Sequence, residues 1–287
     1  MGILDTYRYR IEELHKSPQS DVLYIAPETV VGHEYYTQVI QYEQTVLTTT
    51  THIRNIDVVY TTTSKRLLWQ AIGLEYIESE LLDFIDAIPH GEIYMDIGAS
   101  NGIFAMYAAV SGKQVYCFEP EAANFALLNM NTYLNRHACQ FQVRNFNVAL
   151  ADTVGIGNMY IKKFEPGGHM KILDKPIEVG KTEQFEPEYV QSILRYSLDV
   201  FIEHTHIPYP NYIKIDVDGN ELSVLRGMQD VLANPALKSV FIELEQHNPD
   251  TDECLRLCEQ HGFAIASLSQ VQNYQGLHNV VLRRVYS

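Results

Sequence analysis

Basic residues are scarce in this chain: 21 Lys and Arg stand against 36 Asp and Glu, for a formal net charge of −15. They are also scattered, with no run longer than a pair. A surface this acidic repels phosphate backbones, which excludes long nucleic acid as the expected partner. Long apolar runs are missing too, and none approaches the roughly 18 residues that a bilayer-spanning helix requires. The opening MGILDTYRYR has no apolar stretch after its charges, so it does not read as a secretory signal. Cysteine occurs only at Cys117, Cys139, Cys254 and Cys258, without a Cys-x-x-Cys pair and without metal-ligand spacing. No metal ligands are assigned, and a reduced, cytoplasmic protein is expected. Cys254 and Cys258 sit one helical turn apart and read as core residues. Tryptophan occurs once, at Trp69, and is taken as a packing residue.

What remains is ordinary globular material, 46% hydrophobic over 287 residues. Residues 1–75 lack a strong period. Their β-branched and aromatic residues, interleaved with threonines in YEQTVLTTTTHIRNIDVVYTTTSK, suggest strands or a hairpin. They form an expected N-terminal extension or cap, whose tyrosines (Tyr35, Tyr36, Tyr42, Tyr60) suit a surface for self-association into a homo-oligomer.

From Tyr76 the pattern changes. Ile77, Leu81, Phe84, Ile85 and Ile88 recur at helical spacing, up to the stop at Pro89-His90-Gly91. Short apolar strands then alternate with helices: EIYMDIG, IFAMYAAVSG, QVYCFEP, a helix over 121–135, and FQVRNFNVAL as a third strand. NYIKIDVDG is a fourth strand, followed by a helix over 220–234, KSVFIELEQ, a helix to His261, and two closing strands. The Pro-, Gly- and charge-rich residues 163–190 read as a loop or lid insertion. Repeated strand–helix alternation predicts a doubly wound, mostly parallel α/β sheet over residues 76–287.

In such a sheet, ligands bind beyond the carboxyl ends of the strands. Met95–Gly102, MDIGASNG, closes the first of these strands. Gly98 and Gly102 let the backbone turn and come close to a ligand, with Ala99, Ser100 and Asn101 between them. A phosphate-binding P-loop fails because Gly102 is followed by Ile103 and Phe104. A dinucleotide fingerprint finds only Gly98 of its three glycines. Asp96 also argues against phosphate, since a carboxylate beside phosphate is repulsive. The sign suits a cationic ligand. S-adenosylmethionine has a sulfonium and an ammonium but no phosphate, and Glu119, closing the second strand ahead of Pro120, is placed to accept both ribose hydroxyls.

At this point the residues resemble a known family. YMDIGASNGIFAMYAA, QVYCFEPEAANFALLNMN, NVALAD, SLDVFI and NYIKIDVDGNELSVLRGMQDVL are together similar to the FkbM-type S-adenosylmethionine-dependent methyltransferases, in order over residues 75–285. Ile213, Lys214, Ile215, Asp216, Val217, Gly219, Glu221, Leu225 and Gly227 fit the family's most diagnostic segment, with Asp218 in place of the usual glutamate. The resemblance implies a seven-stranded Rossmann-like fold and O-methylation of a small hydroxylated acceptor such as a sugar, polyketide or other natural product, with S-adenosyl-L-homocysteine as product. N- or C-methylation, or cofactor binding without catalysis, are the alternatives. The resemblance further implies that Asp96, Gly98 and Gly102 line the methionine end of the cofactor and that Glu119 holds its ribose. Asn147, Val148 and Ala149 would lie beside the adenine, with Asn124 a candidate for the same region, and Asp216 would face the sulfonium and the acceptor.

Methyl transfer needs the acceptor oxygen held about 3 Å from an already activated carbon. It also needs a base for the hydroxyl proton. Asp216 is the first candidate. Glu243 or Glu245 could serve instead, or His169 on a mobile PGGHM lid. His204 and His206 are read as surface histidines. A Mg²⁺ held by Asp216 with Glu243 or Glu245 is a further alternative, which would lower the acceptor hydroxyl's pKa.

Overall fold

The computed structural model describes residues 47–285, except 179, 180, 182, 272 and 273, together with 37, 38 and 41. Tyr35, Tyr36 and Tyr42, and most of the expected self-association surface, lie outside the described residues. One compact unit begins at Thr48.

Two strands open this unit, the threonine-rich β1 (Thr48–Ile53) and β2 (Ile56–Thr61), paired antiparallel through Ile53–Ile56. Both turn residues, Arg54 and Asn55, have positive φ (47° and 69°), the geometry of the two-residue turn that matches strand twist. Helix α1 (Lys65–Ile77) follows, with the Ser64 side chain accepting the Leu67 N–H at its N-cap. Glu78 leaves helical geometry (φ −147°, ψ 73°), and α2 (Ser79–Asp86) starts afresh beyond it. Although the sequence places a domain boundary near residue 75, the hairpin, α1 and α2 run into one apolar core. Ile53, Val58, Tyr60, Leu74, Leu81 and Ile85 pack there with Tyr94 and Phe241. Trp69, expected to pack, is 55% exposed on α1.

The strand–helix alternation then unfolds as β3 (Ile93–Ile97), α3 (Ile103–Val110), β4 (Gln114–Phe118), α4 (Ala122–Asn135) and β5 (Arg144–Phe146). Four strands build a side sheet of order β6-β9-β7-β8: β6 (Ala149–Leu150), β7 (Gly155–Ile161), β8 (Lys171–Leu173) and β9 (Tyr189–Tyr196). The chain continues through α5 (Leu198–Thr205), β10 (Tyr212–Ile215), α6 (Glu221–Arg226), α7 (Gln229–Ala233) and β11 (Ser239–Glu245). It ends in α8 (Thr251–Gln260), β12 (Phe263–Gln270) and β13 (Leu277–Arg284). The main sheet has seven strands in the order β12-β13-β11-β10-β3-β4-β5, and β13 is antiparallel to both its neighbours. The remaining pairings are parallel, as expected of a Rossmann-like doubly wound sheet. From β3 the chain builds outward to β4 and β5, then returns to lay β10 on the other side. The switch point therefore falls between β3 and β10, where such folds open a crevice.

Three sequence expectations change. The single strand expected over 141–150 splits, with β5 in the main sheet and β6 beside β9 in the side sheet. The helix expected over 220–234 breaks at Gly227. A Cβ there would lie 2.0 Å from the Ala151 carbonyl oxygen, so the chain is packed too tightly for anything but glycine. The insertion over 163–190 contains β8 and the start of β9. Cys254 and Cys258 are buried core residues on α8, as the sequence indicated.

Candidate active site

The loop after β3 is built around a close approach. Gly98 has φ +76°, and a Cβ on it would lie 1.8 Å from the Asp216 carbonyl oxygen at the end of β10. Backbone passes backbone here at the switch point. The Gly98 and Ala99 N–H groups both donate to the Phe118 carbonyl (3.0 and 3.1 Å), tying the loop to β4. Ser100, also left-handed at φ +51°, donates its N–H to Glu119 Oε2 at 2.7 Å. Gly102 (φ +80°) starts α3 against Leu128. Asn101 Nδ2 donates to Gln70 Oε1 (2.9 Å) and its carbonyl accepts from Asn131 Nδ2 (2.8 Å), so this asparagine anchors the loop to α1 and α4.

Carboxylates then gather on one face of the sheet. In the parallel register Asp96 pairs with Lys214, and two residues further on Asp216 and Glu243 follow their strands on the same face. Lys214 Nζ lies 3.2 Å from Asp96 Oδ1, 3.1 Å from Asp216 Oδ2 and 2.7 Å from the Gly98 carbonyl. Asp96 is thus not an open strand-end acid. It is 1% exposed and meets the loop through Lys214, while Asp216, with its side chain 34% exposed, presents the accessible carboxylate. Burial disfavours the lysine's charge, but Asp216, Asp96 and Glu78 outweigh it and raise its pKa, so Lys214 stays an ammonium. Glu78, at the α1–α2 junction, and Glu243 complete the group. Burial, reinforced by Asp216, pushes Glu78 up to about 8, with Lys214 opposing and Asp96 and Glu80 adding to the rise. Burial and the same Asp216 charge also push Glu243 well up.

Lys214→Ala is expected to destabilise the protein by about 3–5 kcal/mol, because it strands the buried Asp96 charge. Thermal melting of that variant beside the double variant with Asp96→Asn tests this. The double variant should recover much of the loss, whereas equal melting temperatures would refute the pairing.

Glu119 lies on the other flank of the loop. Its two carboxylate oxygens accept the Ser100 and Glu121 N–H groups (2.7 and 2.8 Å), and burial pushes its pKa up to about 7 against those bonds and Lys171. Each oxygen keeps a further acceptor position for a ligand hydroxyl. Asn147 Nδ2 donates to the Glu119 and Pro120 carbonyls (2.8 and 3.0 Å), while Val148 and Ala149 turn into the core.

Residues 167–171 form a strap over the glycine loop. The Gly167 carbonyl accepts from Arg66 Nε (2.7 Å) and Gln70 Nε2 (3.0 Å), and its N–H donates to Asn124 Oδ1 (2.9 Å). Met170 and Lys171 N–H groups both reach Asp218 Oδ2, and Lys171 Nζ pairs with the buried Glu121 at 2.7 Å. Asn124, expected beside the adenine, joins the strap to Ser100: its Nδ2 donates to Ser100 Oγ at 3.2 Å and to the Gly168 carbonyl at 3.4 Å. The lid histidine, His169, is exposed, and its Nδ1 accepts from Arg66 Nη2 at 2.8 Å. It borders a cleft of about 480 Å³ with Arg66, Lys163, Glu165, Met170 and Glu188, and does not join the carboxylates around Lys214. His204 and His206 end α5, at the edge where β10 begins and away from the strand carboxyl ends. Glu245 accepts the His247 N–H at 3.1 Å.

The Mg²⁺ alternative does not fit, because Lys214 already brings a positive charge to 3.1 Å from Asp216. Among the described residues, no three His, Cys, Asp or Glu side chains converge as ligands.

The FkbM methyltransferase domain matches residues 96–265, the stretch from the carboxylate of β3 into β12. The chain belongs to the FkbM methyltransferase family. It is accordingly an S-adenosylmethionine-dependent methyltransferase. Among its relatives is "Methyltransferase 1" of Beauveria bassiana, 27% identical over 210 residues that cover 68% of this chain and 83% of the relative. Hexuronic acid methyltransferase AglP of Haloferax volcanii is 26% identical over 189 residues, covering 66% of this chain and 70% of its own. A crystal structure of an FkbM methyltransferase from Methylobacillus flagellatus superposes with a TM-score of 0.49 and 15% identity. It covers 76% of this enzyme, which spans 52% of that chain. No described helix of the enzyme is long and apolar enough to cross a membrane.

Proposed function

We propose that this methyltransferase carries the methyl group of S-adenosylmethionine to a hydroxyl of a small molecule, leaving S-adenosylhomocysteine. The observation that supports it most is the charge around Lys214, whose single ammonium lies between the Asp96 and Asp216 carboxylates at 3.2 and 3.1 Å. A crevice with that excess favours a sulfonium and disfavours phosphate. In this reading Gly98 to Gly102 admit the methionine portion, Glu119 and Pro120 border the ribose, and Asn147, Val148 and Ala149 border the adenine through their backbone. Asn124 contributes by fastening the strap. Asp216 faces the sulfonium, with one oxygen already on Lys214.

The acceptor class is suggested by the relative named for hexuronic acid, which makes a sugar hydroxyl the first choice. Incubating the enzyme with labelled S-adenosylmethionine and a panel of free and nucleotide-linked sugars tests this. Label in a sugar ether supports it, and label only in amines or carbon-linked products would replace it with N- or C-methylation.

Binding should depend on pH in a defined direction. A carboxyl with its folded pKa raised to about 7 is neutral at pH 6 and ionised at pH 8. Only the carboxylate can accept both ribose hydroxyls, so S-adenosylhomocysteine affinity should rise about tenfold between those values. The same shift costs fold stability as pH climbs from the ordinary glutamate range through about 7, because the folded state holds the proton longer. Titration calorimetry across that range checks the affinity; a flat profile would remove Glu119 from the ribose site.

A further inference from the structure

Over the whole chain acids outnumber bases, 36 to 21, but the cleft beside the strap reverses that balance. Arg66, Lys162 and Lys163 line it against Glu165 and Glu188, within about 480 Å³, a volume typical of small-molecule sites. Its carboxylates are shared. Glu165 Oε2 stands 3.6 Å from Arg66 Nη1 and 3.4 Å from Lys163 Nζ. Glu178, outside the lining, likewise serves both Lys162 and Lys181. Glu188 turns Oε2 to the Phe164 N–H at 2.8 Å. Among the described residues, four cations therefore meet three carboxylates here, which leaves one positive charge unmatched.

The donors are held in place. Arg66 Nε donates to the Gly167 carbonyl at 2.7 Å, and Nη2 donates to His169 Nδ1 at 2.8 Å. Nη1 meets Glu165 only at 3.6 Å, beyond hydrogen-bond length, so it keeps donor capacity for a ligand. Because Arg66 only donates, His169 Nδ1 accepts and its Nε2 carries the ring proton, a second donor. Lys163, with its side chain 68% exposed, adds an ammonium. Phe164 and Tyr189, chain neighbours of lining residues, are each about half exposed and meet edge to face with centroids 5.8 Å apart. An exposed aromatic pair beside charged donors suits a ring that has both an apolar face and a charge. The strap joins this cleft to the methyl-transfer crevice. Gly168 and Met170 line the cleft, while the Gly168 carbonyl accepts from Asn124 and the Met170 N–H reaches Asp218, two residues beyond Asp216.

We propose that this cleft anchors the methyl acceptor, by a carboxylate that the acceptor carries apart from the hydroxyl to be methylated. The assignment rests on the methyl-transfer reading above. Arg66 Nη1, His169 Nε2 and Lys163 Nζ donate to the carboxylate through charge-assisted hydrogen bonds, and the acceptor ring lies along Phe164 and Tyr189. One negative charge matches the one unmatched cation. A phosphate dianion would instead leave the cleft negative beside Glu165 and Glu188.

Titration calorimetry on the enzyme saturated with S-adenosylhomocysteine tests this. Glucuronate and galacturonate are the carboxylate probes, glucose and galactose their neutral counterparts, and glucose 1-phosphate the phosphate probe. At least one uronate should bind about tenfold or more tighter than its neutral counterpart. Lys163→Glu should erase that preference. Glu165→Gln removes the carboxylate that competes for Lys163 and Arg66, so it should strengthen uronate binding about threefold or more, a gain that damage to the fold does not produce. Melting curves confirm that both variants are folded. A uronate preference surviving Lys163→Glu, neutral sugars bound as tightly as uronates, glucose 1-phosphate bound ahead of them, or silence from every sugar overturns the assignment. Silence from S-adenosylhomocysteine itself, before any sugar is added, removes the methyl-transfer reading instead.

Discussion

Alanine at position 98 is expected to abolish measurable cofactor binding and to lower the melting temperature by about 10 °C or more. The added methyl would sit 1.8 Å from the Asp216 carbonyl oxygen, a backbone atom that no rotamer change can move. The left-handed φ of +76° adds about 1–2 kcal/mol for any L side chain. Relief requires β3 and β10 to part at the switch point, which pulls Lys214 from the Gly98 carbonyl and opens the crevice at its floor. A loss of about 4 kcal/mol or more is the size that such backbone conflicts produce. Gly262 provides the control, because it also has positive φ (+80°) but nothing lies within 4 Å of its Cβ position. Gly262→Ala should cost only the conformational term, about 1–2 kcal/mol. Similar melting temperatures for the two variants would mean that the approach at Gly98 is looser than described.

Glu119→Gln should weaken S-adenosylhomocysteine binding by about 100-fold, equivalent to two charge-assisted hydrogen bonds at about 1.5 kcal/mol each. The amide also turns a donor toward either Ser100 N–H or Glu121 N–H, both of which the carboxylate satisfies in the native protein. Because glutamine does not titrate, the variant should also lose the affinity rise between about pH 6 and 8 that burial of Glu119 predicts. A variant that binds weakly yet keeps the wild-type pH profile would show that another group sets it.

Much of this site could be read from the chain because its elements are local. Asp96 and Glu119 close strands whose apolar runs are evident, and the glycines that follow them mark turns that only glycine makes comfortably. The ion pair of Lys214 with Asp216 was within reach of the same reasoning, since residues two apart on a strand share a face. The Asp96 contact was not, because it depends on β10 returning to lie beside β3. That return also sets Asp96 against Lys214 at 3.2 Å. Glu78 had no local signature at all. In EYIESELLDF it resembles any polar helix position, and no periodicity announces that α1 ends and α2 starts there. The contacts of Asn124 were out of reach for a similar reason: the strap that meets its amide arrives from residues 167 and 168, over a path that no periodicity announces. The break at Gly227 likewise depends on the Ala151 carbonyl, a contact invisible from an otherwise continuous amphipathic pattern.

Titration calorimetry with S-adenosylmethionine, S-adenosylhomocysteine, NAD⁺ and ATP, run side by side at pH 8, puts the central claim to the most direct test. A crevice whose carboxylates outnumber its single lysine should bind one S-adenosylmethionine or S-adenosylhomocysteine per chain at sub-millimolar concentration and give no saturable heat with either phosphate-bearing nucleotide. Saturable binding of NAD⁺ or ATP, with silence from the two sulfur nucleosides, would contradict it.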